Sequence, residues 1–506
     1  MHRPPASTSG HGEHAGRFVH GCIKSGRRWL ALGILALAGC TSLPTIVPDL
    51  ARSRTPSTAQ KTAQNTALNT ARPAAALVGA RGPLTAAQSQ AVLNRLKSRG
   101  VPTSIFDRHL ALEEEIVGSP LTTGNEVTLL QDGPATYRAM FAAITAAQNH
   151  IHLETYILDD DEVGQRFASA LIAKQAQGVQ VHLIVDSAGT FDTPSTFFKT
   201  LTDSGIKLLE FNPINPLAAR KEWALNQRDH RKLLVVDGKT AFLGGVNISS
   251  VYSGGSFKPK SKAKASSSTT STAAVSRLAW RDTHVQLRGP VVAEFQKLFL
   301  AAWAQQKGPP LPALDYFPPP VVAGQQVVRA IGSSPEESFS LIYATLLSAI
   351  DNAETSIAIT NAYFVPDPQL LTALQAAAQR GVDVKLILPS ETDSWLTFHA
   401  GRGSYLALLQ AGVKLYQRRG VILHSKTALV DGVWATVGST NLDWRSFLHN
   451  HELNAVVLGT AFGSQLQTQF DKDLAESDNI TLAQWQNRPL QWRLKEIFAK
   501  TWEYWL

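Results

Sequence analysis

Residues 424–441 read HSKTALVDGVWATVGSTN, and residues 230–247 read HRKLLVVDGKTAFLGGVN. Each stretch has a histidine, then a lysine, an aspartate, and a closing glycine and asparagine at matching positions. Because side chains alternate along a strand with a period of two, the histidine and lysine of each stretch are expected on one face. Ordinary buried strands with locally paired polar residues are the alternative. Folding alone gives no reason to repeat three polar residue types at fixed spacing, so the pair indicates an internal duplication.

The segments before these stretches repeat in the same order. In the first copy a strand in HIHLETYIL precedes an amphipathic helix, a glycine and the strand VQVHLIVD. In the second, a strand in TSIAITNAYFV precedes the helix PQLLTALQAAAQR, a glycine and VDVKLILPS. The period far exceeds the 20–50 residues of stacked repeats. Alternating strands and helices therefore predict an α/β fold of two duplicated α/β/α sandwich halves that share one active site at their interface.

Composition changes along the chain predict its division into segments. We expect a signal peptide at 1–39, a lipidated N-terminus and flexible tether at 40–85, a helical lead-in at 86–124, the first half at 125–305, a linker at 306–330, the second half at 331–480 and a C-terminal helix at 481–506. A lysine- and serine-rich insertion at 253–276 interrupts the first half. It is expected as an exposed loop, either solvated or touching anionic headgroups.

Charge and cysteine usage limit the classes of partner and site. The chain of 506 residues has a net charge of +8 and a pI of about 9.4. This balance favours an anionic partner such as nucleic acid, anionic lipid or a phosphate-bearing substrate, or a basic surface that binds nothing specific. Both cysteines, Cys22 and Cys40, precede the expected folded body. That body therefore lacks a disulfide framework and a thiolate metal site.

The N-terminal region resembles a bacterial lipoprotein signal. Residues 24–40 read KSGRRWLALGILALAGC, with a positive flank and a short apolar core. The core is too short to span a bilayer comfortably and suits a signal peptide; an ordinary buried helix is the alternative. Its end, LAGC, resembles the lipobox, which implies lipidation of Cys40. We expect a lipid-anchored protein of the bacterial cell envelope, facing the periplasm at an anionic membrane surface, in the inner or the outer membrane.

The last sixteen residues, QWRLKEIFAKTWEYWL, have a helical pattern. Apolar residues recur at helical spacing at Leu494, Phe498, Trp502 and Trp505. A helix packed on the protein's own core is the first expectation, because apolar stripes usually face a core. A helix lying on a membrane surface is the second.

The paired stretches suggest phosphoryl chemistry. Histidine has an ordinary pKa near 6.5, so two imidazoles meeting at the interface make an acid–base pair near neutral pH. Two lysines and two asparagines around the same point form a cage for a phosphoryl oxyanion. The candidate residues are His230, His424, Lys232, Lys426, Asn247 and Asn441.

Both copies share the pattern H-x-K, four residues, D, six residues, G-S/G-x-N. This pattern resembles that of the phospholipase D superfamily. The flanking segments WRDTHVQLRGP and HELNAVVLG look like those of bacterial cardiolipin synthases. The resemblance covers roughly residues 125–500. The first copy departs from the pattern at Gly245, where the second has Ser439.

The resemblance implies a covalent mechanism without metal or cofactor. One histidine forms a phosphohistidine and the other protonates the departing alcohol; we assign His230 as nucleophile and His424 as general acid, with the reverse assignment open. Lys232, Lys426, Asn247, Asn441 and Ser439 are expected to hold the phosphate. An acid after each motif is expected to orient the histidine of its own half, Asp282 for His230 and Glu452 for His424. The motif aspartates, Asp237 and Asp431, complete the catalytic motif, and a structural role is expected for them.

The implied reaction is phosphatidyl transfer from a donor phospholipid to phosphatidylglycerol, giving cardiolipin. Phospholipid hydrolysis is the alternative, and a metal-independent nuclease ranks below it. Phospholipids are the expected substrates, no nucleic acid partner is expected, and a monomer suffices because one chain carries both motifs. Glu154, Tyr156 and Asn361 are weaker candidates at strand ends, where ordinary polar residues also occur. His150, His152 and His284 are expected to have no catalytic role.

Overall fold

The protein is described here by a computed structural model that covers residues 75–98, 103–214, 224, 226–254 and 278–506. The predicted signal peptide, Cys40, the tether before residue 75 and nearly all of the insertion lie outside these residues.

The first half is a mixed sheet with helices on its faces. Its strands are β3 (Leu121–Gln131), β4 (His150–Thr155), β5 (Gln180–Asp186), β6 (Lys207–Phe211), β7 (Arg228–Asp229), β8 (Leu233–Val236), β9 (Thr240–Gly244), β10 (Trp280–Arg281) and β11 (Thr283–Arg288). The order across the main sheet is β3-β11-β9-β8-β4-β5-β6. The β4-β5-β6 part is parallel and the rest is antiparallel.

The second half repeats this sheet strand for strand. Its strands are β12 (Gln326–Ser333), β13 (Ser356–Asn361), β14 (Asp383–Pro389), β15 (Lys414–Arg418), β16 (Ile422–Leu423), β17 (Lys426–Val430), β18 (Trp434–Gly438), β19 (Asn450–Leu458) and β20 (Ser477–Ile480). The order is β12-β19-β18-β17-β13-β14-β15, with β20 added at the outer edge. The same strands are parallel as in the first half, so the predicted duplication and α/β class are confirmed.

Helices connect the parallel strands and cover the sheets. The described α-helices before residue 480 are α1 (Ala86–Ser98), α2 (Ile105–Ile116), α3 (Gly133–Ala146), α4 (Glu162–Ala176), α5 (Ser195–Asp203), α6 (Val292–Gln305), α7 (Leu341–Asp351), α8 (Pro368–Gln379), α9 (Trp395–Arg402), α10 (Tyr405–Gln410), α11 (Trp444–Leu448) and α12 (Thr460–Ala475). Asp161 caps α4 by accepting from two backbone N–H groups. Gly178, at φ 91°, and Gly381, at φ 93°, turn the chain after α4 and α8 into the next strand.

The two halves share one apolar core. Strands β3 and β12 pair antiparallel at the junction, with Val328 opposite Thr122. Side chains from both sheets and from α6 and α12 form one buried cluster that includes Phe295, Phe299, Phe462 and Phe470. This packing holds the ends of the two sheets in a fixed relation, which an active site built from both halves requires.

The folded body begins earlier than predicted. Two short strands, β1 (Leu77–Gly79) and β2 (Gly82–Pro83), lie within the stretch expected as tether, and β1 pairs with β3. Strand β3 starts inside the predicted lead-in, and β12 starts inside the predicted linker. These differences arise because β1 and β2 are short, while β3 and β12 are longer but mixed in polarity, so none of them shows a clear alternation before the partner strand is known.

The C-terminal region differs from the single helix that was predicted. It forms α13 (Leu482–Gln486), α14 (Leu490–Lys500) and a 3₁₀ turn at Glu503–Trp505. The expectation that its apolar stripe packs on the core is wrong, because Leu494, Phe498, Trp502 and Trp505 are exposed. In the described part of the chain, no helix is long and apolar enough to cross a membrane.

Candidate active site

Each motif histidine follows a short strand that pairs with the other half. His230 comes directly after β7, which runs parallel to the start of β19, and its backbone N–H donates to the His451 carbonyl over 3.0 Å. His424 follows β16, which runs parallel to β10, and its N–H donates to the Arg281 carbonyl over 2.8 Å. Both histidines are therefore fixed by backbone hydrogen bonds that cross between the halves.

The carboxylates that orient the two imidazoles are exchanged between the halves. Nδ1 of His230 lies 3.0 and 3.1 Å from the carboxylate oxygens of Glu452. Nδ1 of His424 lies 2.7 Å from the Asp282 carboxylate. The predicted pairing within each half, Asp282 with His230 and Glu452 with His424, is wrong. The strands β10 and β19 lead each acid to the histidine of the opposite half, which sequence separation cannot reveal.

The one position where the motifs differ is explained by these carboxylates. Ser439 donates its hydroxyl to Glu452 and accepts from the Leu453 backbone N–H over 3.0 Å. At Gly245, a Cβ atom would lie 2.2 Å from a carboxylate oxygen of Asp282, so no side chain fits there. The Ser439 hydroxyl thus supports Glu452, instead of facing substrate as predicted.

Both motif lysines are buried beside their histidines. Nζ of Lys232 donates to the His230 carbonyl over 2.6 Å, and Nζ of Lys426 donates to the His424 carbonyl over 2.5 Å. Burial lowers the pKa of Lys232 to about 7, and that of Lys426 to about 8, against the pull of nearby carboxylates. An anionic phosphate entering the site would favour the charged form of both lysines.

The imidazoles are poised as neutral bases. Burial lowers the pKa of His230 to about 4, although Glu452 acts in the opposite direction. Burial also lowers the pKa of His424, and Lys426 adds to this effect. Burial alone would raise the pKa of Glu452, but His230 and Lys232 bring it down to about 2. Glu452 therefore stays ionised, accepts the Nδ1 proton of His230, and leaves Nε2 as the nitrogen available to a substrate.

The two motif asparagines have different surroundings. The Asn247 amide is held by the protein, accepting from the Ile157 N–H over 3.1 Å and donating to the Tyr252 hydroxyl over 2.9 Å. Oδ1 of Asn441 has no hydrogen-bond partner among the described residues. Substrate binding by either amide stays a prediction, and Asn441 is the one with a free acceptor.

Aromatic side chains surround both imidazoles. The Tyr156 ring lies 5.2 Å from His230, while Trp280, Tyr252 and Tyr363 lie 5.0, 5.9 and 6.2 Å from His424, between ring centroids. Of these four, only Tyr156 was a candidate from sequence. Tyr363 was detectable, because it follows the end of β13 much as Tyr156 follows β4. Trp280 opens the flanking segment WRDTHVQLRGP but was not a candidate, and nothing in the sequence marked Tyr252.

The motif aspartates lie at the far end of the site strands. Asp237 and Asp431 each stand five residues after the motif lysine, about 16 Å along an extended strand. Asp237 accepts from three successive backbone N–H groups, at residues 148–150, and Asp431 from those at 354–356. These contacts fit the structural role expected for both aspartates, and not a catalytic one, although the motif includes them. They tie the start of β4 and of β13 to the hairpin that follows each motif.

Of the three weaker candidates, Tyr156 lies against His230, while Glu154 and Asn361 are held by other groups of the protein. Glu154 is buried in an ion pair with Arg231, at 2.8 Å, and Asn361 accepts from the Leu442 backbone N–H over 3.1 Å. His150 and His152 are buried against Gln296, and His284 is fully buried against β9. Among the described residues, no group of three or more histidines, cysteines or acids is placed to hold a metal ion.

A doubled α/β fold with two histidine–lysine motifs joined by exchanged carboxylates defines a protein of the phospholipase D class. A family profile described as "Cardiolipin synthase, PLD-like domain" matches residues 140–252 and 346–474. The chain belongs to this cardiolipin synthase family of phospholipase D-like proteins.

Individual relatives support this assignment. A cardiolipin synthase of Geobacillus sp. (strain WCH70) is 36% identical over 394 residues, 77% of this chain and 74% of the relative. Cardiolipin synthase A of Pseudomonas entomophila (strain L48) is 35% identical over 72% of this chain and 71% of the relative. The crystal structure of a phosphatidylserine synthase from Haemophilus influenzae Rd KW20 superposes with a TM-score of 0.55 at 12% identity, over 79% of this chain and 100% of that one. At that identity, the last comparison supports the fold alone.

Proposed function

We propose that this protein is a phosphatidyltransferase that makes cardiolipin from phosphatidylglycerol and a donor phospholipid. The observation that carries the proposal is the pair of imidazoles, each held at Nδ1 by a buried carboxylate of the opposite half. This arrangement supplies two bases at one site, with two buried lysines beside them. The cardiolipin synthases to which the chain is similar suggest the substrate.

In the first step, Nε2 of His230 attacks the phosphorus of the donor lipid. A P–N bond forms and the P–O bond to the headgroup alcohol breaks. His424, protonated in the substrate complex, gives its Nε2 proton to the departing oxygen. The phosphate anion raises the pKa of this imidazole when it binds, because an opposite charge favours the protonated form. Lys232 and Lys426 neutralise the charge on the equatorial oxygens.

In the second step, the phosphatidyl group passes to a new hydroxyl. His424, now neutral, takes the proton of a phosphatidylglycerol hydroxyl, whose oxygen attacks phosphorus. The P–N bond to His230 breaks and cardiolipin leaves. Water in place of the lipid hydroxyl would give phosphatidic acid, so a transferase must admit the second lipid and exclude water at this stage.

Lipid profiling of a cardiolipin-free bacterial strain tests the proposal. Expression of the wild type is expected to raise cardiolipin, while His230→Ala and His424→Ala are expected to abolish the rise. Lys199→Ala, at a side chain that is 70% exposed, serves as the control and should behave like the wild type. Accumulation of phosphatidic acid without cardiolipin would instead support hydrolysis, and cleavage of plasmid DNA without lipid turnover would support a nuclease.

Trapping of the intermediate tests the roles of the two histidines. With a labelled donor lipid whose leaving group needs no proton, such as a phosphatidyl p-nitrophenol ester, His424→Ala is expected to retain label on His230, because formation of the phosphohistidine then needs only the nucleophile while release still needs the second imidazole. His230→Ala should retain none. The opposite pattern reverses the assignment and leaves the proposed reaction intact.

We also propose that Cys40 carries the lipid anchor in the cell envelope, on the evidence of the lipobox-like LAGC sequence. Metabolic labelling with palmitate is expected to mark the wild type and not Cys40→Ser, and globomycin should block processing. Equal labelling of the two would contradict the proposal.

A further inference from the structure

The C-terminal helix presents its apolar side to solvent. We define the C-terminal apolar surface by Leu490, Leu494, Ile497, Phe498, Trp502 and Trp505, with exposed fractions of 69, 58, 65, 57, 48 and 59%. The four residues on α14 follow the spacing i, i+4, i+7 and i+8, which aligns them on one stripe. Patches of this kind mark interaction sites on soluble proteins.

The inner side of α14 is polar, the reverse of an ordinary surface helix. Glu496 and Ala499 are its buried residues. The Glu496 carboxylate accepts from Arg488 over 2.7 Å, and Arg402 lies 3.9 Å away, between α14 and Trp485. The fold thus holds the helix through a buried ion pair and a small residue. Among the described residues, its apolar stripe stays mostly exposed, with a ring contact between Phe498 and Trp395 at one edge.

Cations border the stripe on both sides. At 100° per residue, Lys495 lies on one flank, and Arg493 and Lys500 lie on the other. All three are exposed, whereas Glu496, the only acid of α14, is buried and paired. The outer side of α14 therefore carries apolar and positive groups and no negative one.

Two chains of contacts connect the C-terminal apolar surface to the active site. Phe498 lies 6.4 Å from the Trp395 ring, at the start of α9. Two residues earlier, Asp393 accepts from the Tyr363 hydroxyl over 2.7 Å, and the Tyr363 ring faces His424.

On the other side, the Leu506 carbonyl accepts from the Arg445 N–H over 2.7 Å. The Arg445 guanidinium contacts Asn226, just before the strand that leads to His230. Contacts through a few residues thus connect the surface to both halves of the site.

We infer that the C-terminal apolar surface inserts into the headgroup region of an anionic phospholipid bilayer and holds the active site against it. This inference rests on the proposed function, since it names the bilayer as the source of the lipid substrate. Interfacial helices combine an apolar stripe, flanking Lys and Arg side chains and tryptophans, as seen here. The charges that flank the stripe are all positive, and this complements an anionic lipid surface. Phosphatidylglycerol, the proposed acceptor, is itself anionic.

The test uses the full chain with vesicles of phosphatidylglycerol and phosphatidylcholine that contain brominated lipid, which quenches tryptophan fluorescence on contact. The wild type is expected to be quenched, and the variant Ile497→Asp/Phe498→Asp to lose most of this quenching. Its ratio of turnover on vesicles to turnover in detergent micelles should fall about tenfold or more, because two large apolar groups no longer enter the lipid. Turnover in micelles should be retained.

Two further variants complete the test. The matched control is Val321→Asp/Val322→Asp. These two side chains are 71 and 65% exposed, and Val322 lies beside Gly124, near the start of β3. It should match the wild type in both readouts. Trp502→Phe/Trp505→Phe leaves the stripe in place and should lose quenching without losing turnover on vesicles.

Equal quenching of the wild type and Ile497→Asp/Phe498→Asp would overturn the inference. So would a wild-type dimer that this variant converts to a monomer in analytical ultracentrifugation, because a second copy would then cover the surface. Quenching needs no catalysis, so a protein that is quenched as expected but makes no cardiolipin in micelles would refute the proposed function and not the membrane surface.

Discussion

At the scale of single residues, the site depends on which group faces each imidazole nitrogen. A carboxylate at Nδ1 selects the tautomer and leaves Nε2 for the substrate. Here Glu452 and Asp282 do this for histidines of the opposite half. Glu452 is closer to His424 in the chain, yet it orients the imidazole of His230.

Glu452→Gln is expected to lower activity by about two to four orders of magnitude, because an amide no longer favours the productive tautomer of the imidazole it faces. In nitrogen NMR of labelled histidine, the ring signals of His230 should change while those of His424 stay in place. Asp282→Asn should give the opposite result. A change at His424 in Glu452→Gln would contradict the exchanged pairing.

Gly245→Ser and Ser439→Gly make a matched pair of exchanges between the two motifs. Gly245→Ser is expected to reduce kcat/KM about 100-fold or more, because a Cβ atom there would displace the Asp282 carboxylate. Ser439→Gly removes one hydroxyl donor to Glu452 and should reduce it by less than about tenfold. A larger loss of kcat/KM in Ser439→Gly than in Gly245→Ser, measured under the same conditions, would show that the hydroxyl bonded to Glu452 matters more than the space beside Asp282.

At the scale of elements, the aspartate of each motif shapes a hairpin instead of the site. Asp237 and Asp431 adopt left-handed backbone conformations, with φ of 54° and 50°, in the turns after β8 and β17. Their carboxylates collect backbone N–H groups from the segments that enter β4 and β13. Strands β8 and β17, which follow the two motif histidines, are thereby tied to β4 and β13, with which they pair antiparallel.

Asp431→Ala is expected to reduce the free energy of unfolding by about 1.5–3 kcal/mol, because three partly buried backbone N–H groups lose a charged acceptor. Asp431→Asn should lose less, since asparagine keeps one acceptor and tolerates the left-handed region. Urea denaturation measures the loss, and kcat of the folded enzyme should stay near the wild-type value. A collapse of kcat with unchanged stability would return Asp431 to the catalytic set.

At the scale of the whole molecule, duplication places many titratable groups in one buried core. Burial lowers the pKa of His182, His230 and His399 to about 4, and that of His284 to about 3. In each case the unfolded chain, with a histidine pKa near 6.5, binds more protons between about pH 4 and 6.5. Stability from these groups is therefore complete above pH 6.5 and is lost as the pH falls through this window.

The thermal midpoint is accordingly expected to be lower at pH 5 than at pH 7.5. Asp186 and Asp443, whose pKa values burial raises to about 6, act in the opposite direction, because the folded chain binds their protons more tightly. The histidines outnumber them, so the net direction is a loss at acidic pH. Scanning calorimetry across this range checks the prediction, and a midpoint that rises on acidification would contradict it.

The sequence by itself determined the duplication, the α/β class, and the histidine and lysine pairs, because these follow from period, spacing and residue type along the chain. It also indicated both orienting acids, but not which imidazole each serves. Only the tertiary structure decided the exchange of Asp282 and Glu452, the reason for Gly245, the aromatic contacts of Tyr252 and Trp280, and the outward apolar side of α14. Each of these depends on strands or helices distant in sequence meeting in space, and local pattern carries no information about such a meeting.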